Sequence, residues 1–405
     1  MIMLYSIIVL TIIALAFFYY YINIRPLSSM KIRDLYLEGL DLLISGHRKK
    51  AYKYFKEIID QDTTNIKSYI KMGQIVRESK NPKQALKIHT SVSLRQDLSK
   101  YERVELHKNI SLDYYDLKNM VHAVDECLYI LKIDKNNEWA ILQLIKYFIE
   151  SENWKNASIY LNKYNKIKNI NDNHKLGLFK IQQARQLVRN NEFEEARTLY
   201  EKAIELSEKL SISYYYIGNS YSVESEFFYK QANQDNLDID SAEHKSNMEN
   251  ARRSLGKSIP MWVRYANLAP QQSWLVIHLL KDALFVLDRF DEFELILKDI
   301  LKKAPDNLEV LAALADIHDQ RGETSEALEL IDSSRNKSED SLLVKLIRVK
   351  LQARKQSDNS TRIIKELDTI IHDLVTDEQF QKNRKKHLDK DLLWLYENTR
   401  KNLIE

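Results

Sequence analysis

The chain has 405 residues, 44% apolar and 29% charged, with a formal net charge of +3. Such a balance excludes a nucleic-acid binder that relies on global charge. Seven glycines and five prolines are too few for a sheet-rich or turn-rich fold, and one cysteine, Cys127, excludes an internal disulfide and any Cys-based zinc site.

The chain opens with a nearly unbroken apolar run, Ile2–Ile22, interrupted only by Ser6 and Thr11. Its 21 residues are long enough to cross a hydrocarbon core as a helix. Tyr19, Tyr20 and Tyr21 fall where an interfacial aromatic belt belongs, and Arg25, Lys31 and Arg33 follow the run while no Lys or Arg precedes it. This asymmetry predicts an uncleaved single-pass anchor over 1–24 with the rest of the chain in the cytoplasm. A cleaved signal peptide would need a basic start and a small-residue cleavage site, and neither is present. Pro26 ends the helix, and residues 25–34 read as a linker.

From Leu35 a register repeats. Leu35–Ile58 carries Gly39, Leu42, Gly46, Ala51, Phe55 and Ile58, and Gly73, Val76, Ala85, His89 and Val92 take the matching places in Tyr69–Val92. Ala51 and Ala85 are 34 apart, the period of the tetratricopeptide repeat, a helix–turn–helix unit. A third unit, Glu105–Ile130, follows a loop around Leu94–Lys100. The fourth is Glu138–Tyr164, and the fifth is Leu178–Ala203 after the polar connector Lys166–His174. The sixth is split: its first helix holds Tyr214, Ile217, Gly218 and Tyr221, and its second is expected at Ser258–Asn267. The polar insert between them, about 222–250, reads as a mobile loop at Gln231–Ser246. The seventh unit runs from Ile277 to Pro305, and the eighth includes Leu311, Ala315, Gly322, Ala327 and Ile331.

The expected fold is therefore all-α: a transmembrane helix followed by a superhelix of about eight hairpins over 35–340. Small residues at the eighth and twentieth positions of each unit are expected to face each other, because only small side chains let two helices approach closely.

No Gly-rich phosphate loop, HExxH or Gly-x-Ser-x-Gly occurs, so no catalytic site and no cofactor are expected. His89, His318 and Cys127 sit at framework positions and read as packed residues. What remains is a groove lined by the first helices. By register it takes Arg33, Tyr36, Lys67, Gln74, Arg77, Lys108, Tyr115, Arg185 and Arg189. A basic, amphipathic face of that kind suits an acidic peptide or protein surface.

Beyond Ile331 the register fades. Leu342–Ala353 and Ile363–Val375 read as two amphipathic helices within 341–378, and 379–405 is a basic tail. The anchor together with YLEGLDLLISGHRKKAYKYFKEII and MGQIVRESKNPKQALKIHTSV resembles the lipopolysaccharide assembly protein B family over nearly the whole chain. That resemblance implies a bacterial inner-membrane protein with a cytoplasmic repeat array and a C-terminal rubredoxin-like knuckle. It further implies an adaptor that presents the lipid A pathway deacetylase LpxC to the membrane protease FtsH and associates with lipopolysaccharide export components.

The family's knuckle has an aromatic, a Cys-x-x-Cys, a Trp and a second Cys-x-x-Cys followed by Arg. Phe380, Trp394 and Arg400 match, but the four ligand positions hold Lys382, Lys385, Tyr396 and Thr399. None supplies a thiolate, so no bound metal is expected. The segment is then either a degenerate knuckle held by packing or a basic tail helix. A scaffold for another envelope or secretion complex, unconnected with proteolysis, is the alternative function. A metal-dependent redox protein is disfavoured by the missing thiols.

Overall fold

The computed structural model describes residues 13, 31–233, 239–333, 342–356, 361–376 and 389–398. The expected anchor, apart from residue 13, lies outside the described residues, as do Lys382, Lys385 and Thr399. Among the described residues every regular element is helical, and no helix is long and apolar enough to cross a membrane. The chain divides into two compact units, Met1–Ser151 and Glu152–Glu405.

The first unit is built from helices α1 (Ile32–Ile44), α2 (Arg48–Gln61), α3 (Ile66–Glu78), α4 (Pro82–Ser93), α5 (Lys100–Asp116), α6 (Met120–Ile133) and α7 (Glu138–Glu150). Consecutive helices pack on one another. Leu35, Ala51, Phe55 and Ile58 of the first hairpin bury against Met72 and Ile75 of the second. Ile70 and Val92 of the second bury with Leu106 and Ile110 of the third.

Four of the seven helix starts in this unit are set by asparagine. Asn65, Asn81, Asn119 and Asn137 each accept a hydrogen bond from the backbone N–H three residues on, an N-cap worth about 1 kcal/mol. Ser99 and Glu102 form a reciprocal capping box after the loop that lengthens the third repeat.

Each hairpin turn in this unit has one left-handed residue: Gly46 (φ 78°), Lys80 (φ 66°) and Lys118 (φ 61°). The next amide then bonds back five residues, as His47 N does to Leu42 O (2.8 Å), the bond pattern of a Schellman cap.

The small residues of the eighth position also take a large side chain of the second helix. The eighth position makes room chiefly for the residue four beyond the small one of the second helix. A Cβ on Gly39 would lie 3.1 Å from the Phe55 ring, one on Gly73 2.3 Å from His89 Nε2, and one on Gly218 2.4 Å from Trp262 Nε1. Where Ser111 replaces glycine, its hydroxyl donates to Ala123 O at 2.9 Å, a direct bond between positions eight and twenty.

The second unit comprises α8 (Trp154–Lys168), α9 (Asn173–Arg189), α10 (Phe193–Leu206), α11 (Ile212–Ala232) and α12 (Ala242–Leu268). A 3-10 turn at Pro270–Gln272 follows, then α13 (Trp274–Val286), α14 (Phe290–Lys303), α15 (Leu308–Gln320) and α16 (Thr324–Ser333). The unit ends with α17 (Leu342–Gln356), α18 (Thr361–Thr376) and α19 (Lys390–Glu397). One core runs from Leu178 through Trp262 and Leu280 to Leu314, and also takes in Leu392 and Leu395.

The insert of the sixth repeat is mostly helix, where a loop was expected. Both helices continue outward by several turns, and only 234–238 lies outside the described residues. The extension is held by small and polar groups. Ser225 donates to Ala251 O at 2.7 Å, and Glu224 accepts from Arg197 at 3.2 Å and from Ser254 at 3.0 Å.

The helices expected after 341 are present and continue the packing, with Val344, Ile347 and Leu351 buried against Ala312, Ala315 and Ile331. Lys350 is nearly buried among Asp316 (2.8 Å), Asp319 (3.5 Å) and Asp368 (2.6 Å). Burial works to raise the Asp316 carboxyl, but Lys281 and Lys350 beside it outweigh burial and hold it below the usual range.

Candidate functional site

In the first unit the predicted groove residues are dispersed. Arg33 and Lys67 are exposed. Tyr36 packs edge-on to Phe55 at 5.6 Å, and burial, then Tyr101, raises its hydroxyl pKa. Gln74 accepts from Lys71 (3.0 Å) and donates to Glu78 (2.9 Å). Lys108 pairs with Glu105 at 2.7 Å and lies over the Trp139 ring. Tyr115 stacks on Tyr147 at 5.0 Å and donates to Glu150 at 2.8 Å.

Arg77 is not open to a ligand. Its guanidinium, 10% exposed, donates to Asp113 at 3.0 Å and to the carbonyl and side-chain oxygens of Asn109 at 3.2 and 3.1 Å. Asp113 is itself fully buried and also pairs with the buried His89. This Arg–Asp–His set fastens the second repeat to α5. Sequence reasoning identified Arg77 and His89 but missed Asp113. The one signal was an acid inside the buried stretch Ile110–Asp113.

The second unit brings Arg185 and Arg189 together, and with them a feature sequence reasoning did not place. Helix α19 is docked on α9. Residues His174, Gln182 and Arg185 recur on α9 at spacings of eight and three, which puts them on one face. Trp394 stacks on Phe179 with centroids 5.5 Å apart and planes 15° apart, and meets Trp154 edge-on at 6.0 Å. Leu392 and Leu395 are buried.

The last carbonyls of any helix lack intrahelical donors. Here Gln182 Nε2 donates to Leu395 O at 2.9 Å, and Arg185 Nη1 approaches the same oxygen at 3.4 Å. At the other end of α19, Asp391 pairs with His174 Nε2 at 2.8 Å, while His174 Nδ1 meets Ser207 Oγ at 3.0 Å. The array thus holds a helix by an aromatic slot, a carbonyl clamp and an acid contact.

Beside the end of α19 lies a cavity of about 150 Å³, lined among others by Glu152, Arg185, Arg189, Tyr200, Tyr216 and Asn398. Arg189 pairs with Glu152 at 3.2 Å, and the Arg185 guanidinium lies 5.1 Å from the centre of the Tyr216 ring. Tyr200 stacks on Tyr216 at 5.9 Å, and burial raises its hydroxyl pKa strongly.

Burial also pushes the Cys127 thiol up to about 11, which disfavours the thiolate a metal would need. Of the positions matching knuckle ligands, Tyr396 is described. It is a half-exposed residue of α19, so the described end of the tail is a packed helix. His318, Glu323 and Glu326 lie close enough to share a cation, but the imidazole already faces both carboxylates, at 2.6 and 3.8 Å.

A family model described as Tetratricopeptide repeat matches residues 288–351. The match covers α14 to α16 and most of α17, and among the described residues the rest of the chain is likewise built of helices. No curated protein matches it.

Among solved structures, a tetratricopeptide repeat protein from Parabacteroides merdae is 11% identical, with 79% of this chain and 98% of that one covered and a TM-score of 0.27. The C-terminal part of a repeat protein from Cytophaga hutchinsonii is 14% identical, covering 69% and 99%, at 0.33. PilF of Pseudomonas aeruginosa is 13% identical, covering 60% and 98%, at 0.30.

Proposed function

We propose that the chain is a protein-interaction scaffold, and that it works as a membrane-tethered cytoplasmic adaptor in lipopolysaccharide control. The scaffold reading is supported by one observation: α9 holds a separate helix of the same chain, α19, with Gln182 and Arg185 directed at a carbonyl of its last turn. Stacked hairpins present such faces in series.

The finer reading rests on the sequence resemblance of the first two repeats and the anchor. In it, Ile2–Ile22 holds the array at the bacterial inner membrane, beside an FtsH-type protease, an LpxC-type deacetylase and export components. Confinement there raises effective concentration without new contacts. Depleting the protein in its host and following the deacetylase half-life tests it: a change in half-life is expected, and an unchanged one sinks the adaptor role. In that case a scaffold for another envelope complex remains, and a membrane pull-down with and without residues 1–26 would identify its partners.

A further inference from the structure

We propose that the outer part of the sixth repeat's long hairpin is a hinged arm. It swings about a weak line across α11 and α12, is caught by an ion pair to α10, and sets the width of the cavity beside α9.

The weak line is built into both helices. Pro260 lies inside α12. Proline has no N–H, so the carbonyl of Gly256, four residues back, loses its helical donor and is crowded by the ring. Gly256 has no packing reason to be glycine, since a Cβ there would meet nothing within 4 Å. Glycine in a helix interior is unfavourable, and what it supplies beside the proline is backbone freedom. Between the two, Ser258 donates its hydroxyl to Leu255 O at 2.7 Å, a bond that competes with the helical ladder. In α11, Ser220 does the same to Ile217 O at 2.7 Å. The two stretches lie at one level of the hairpin, because Gly218 faces Trp262 below them and Glu224 accepts from Ser254 above. Both helices therefore bend most easily on one line.

Beyond that line the arm is one piece with catches to its neighbours. Ser225 donates to Ala251 O at 2.7 Å and the His244 ring to Ala232 O at 3.0 Å, which joins the outer turns of α11 and α12. Glu224 accepts from both terminal nitrogens of Arg197 on α10, at 3.2 and 3.3 Å. The two side chains are only 11% and 14% exposed, so this is a strong, bidentate catch. Phe227 meets Phe193 of α10 edge-on at 6.0 Å, and Arg252 reaches Asp288 at 3.4 Å from the solvent side. Ser220, on the line, and Val223, beyond it, help to line the cavity that Arg185 and Arg189 of α9 also line. A swing of the arm moves one wall of that cavity while α9 keeps another in place.

The test uses the full chain with spin labels at Lys230→Cys on the arm and Asn190→Cys after α9, both exposed positions. Cys127 is buried, with its thiol pushed up to about 11, and stays unlabelled. With the catch intact, one narrow distribution of distances is expected. Arg197→Ala opens the catch, and the share of longer distances is expected to rise about threefold or more. Glu224→Gln loses the charge and keeps an acceptor for Ser254, so it gives a smaller rise and keeps the test valid if Arg197→Ala folds poorly. Adding Gly256→Ala and Pro260→Ala restores the ladder at sites that have room, open space at Gly256 and an exposed face at Pro260. The narrow distribution is expected to return.

An unchanged distribution in both catch variants would overturn the catch, and longer distances that survive the two alanines would overturn the hinge. Amide exchange that quickens along all of Ile212–Ala232, inner turns included, would assign the movement to local unfolding instead.

Discussion

Asp113 is fully buried, and its carboxyl joins three helices: Arg77 from α3, His89 from α4 and its own α5. Removing one member of such a set leaves its partners buried and unpaired, which costs about 3–5 kcal/mol. Asp113→Ala is therefore expected to lower unfolding free energy by about 3 kcal/mol in urea titration, and a loss below about 1 kcal/mol would show the set to be dispensable. Gly73→Ala should disturb the same set from the other side, because its new methyl would have to displace the His89 ring.

Legibility at this scale was partial. Arg77 and His89 stand out by register, but the register assigns Arg77 to an open groove. The acid that turns it inward belongs to the next repeat, and no periodic rule links the two.

At the scale of the element, the hairpin turns were well announced. The residues at the left-handed position, Gly46 and Lys80, Lys118 and Glu152, Asp288 and Gly322, are pairwise 34 apart, so the turn repeats as faithfully as the helices. Only two of these are glycine. A non-glycine residue in this conformation costs about 1–2 kcal/mol, while glycine adds about 0.5–1 kcal/mol of chain entropy to be lost on folding. Lys80→Gly is expected to stabilise the protein by about 0.5 kcal/mol and Gly322→Ala to destabilise it by about 1 kcal/mol, measured as shifts of the denaturation midpoint. Opposite signs at the two sites are the diagnostic; equal signs would show that side-chain contacts outweigh the backbone.

The sixth repeat shows where this legibility ends. Its extension looks like a loop because its stretch is polar. Its buried stripe includes Ser225, Ala232, Ala251 and Ser254, small or polar residues that no hydrophobic pattern registers. The helices are held by Ser225 and Glu224 bonding across the hairpin, a cause that appears only once the two are paired.

Within each unit, the dominant rule is that a described hairpin touches its neighbours, so that stability is close to a sum of local terms. The 34-residue period made that architecture readable from the sequence. Helix α19 breaks the rule: Leu395 lies 213 residues from Gln182, whose amide it accepts, and 210 from Arg185. Periodicity could not reveal this contact, since α19 belongs to no repeat. The match of Trp394 to the knuckle tryptophan marked the residue without showing what it packs against.

The two kinds of contact should separate under perturbation. Leu395→Ala removes a fully buried side chain at the docking site, a change that costs about 2–5 kcal/mol where the site cannot collapse. If neighbour contacts govern the rest of the unit, amide hydrogen exchange should quicken in α19 and in Asn173–Arg189, which lose a packed surface and a carbonyl partner. Exchange in Leu308–Gln320 and Leu342–Gln356, held by Ala315, Val344 and the Lys350 ion cluster, should stay within twofold of wild type. Uniform acceleration across all of these helices would show instead that the returning helix binds the unit into one cooperative block.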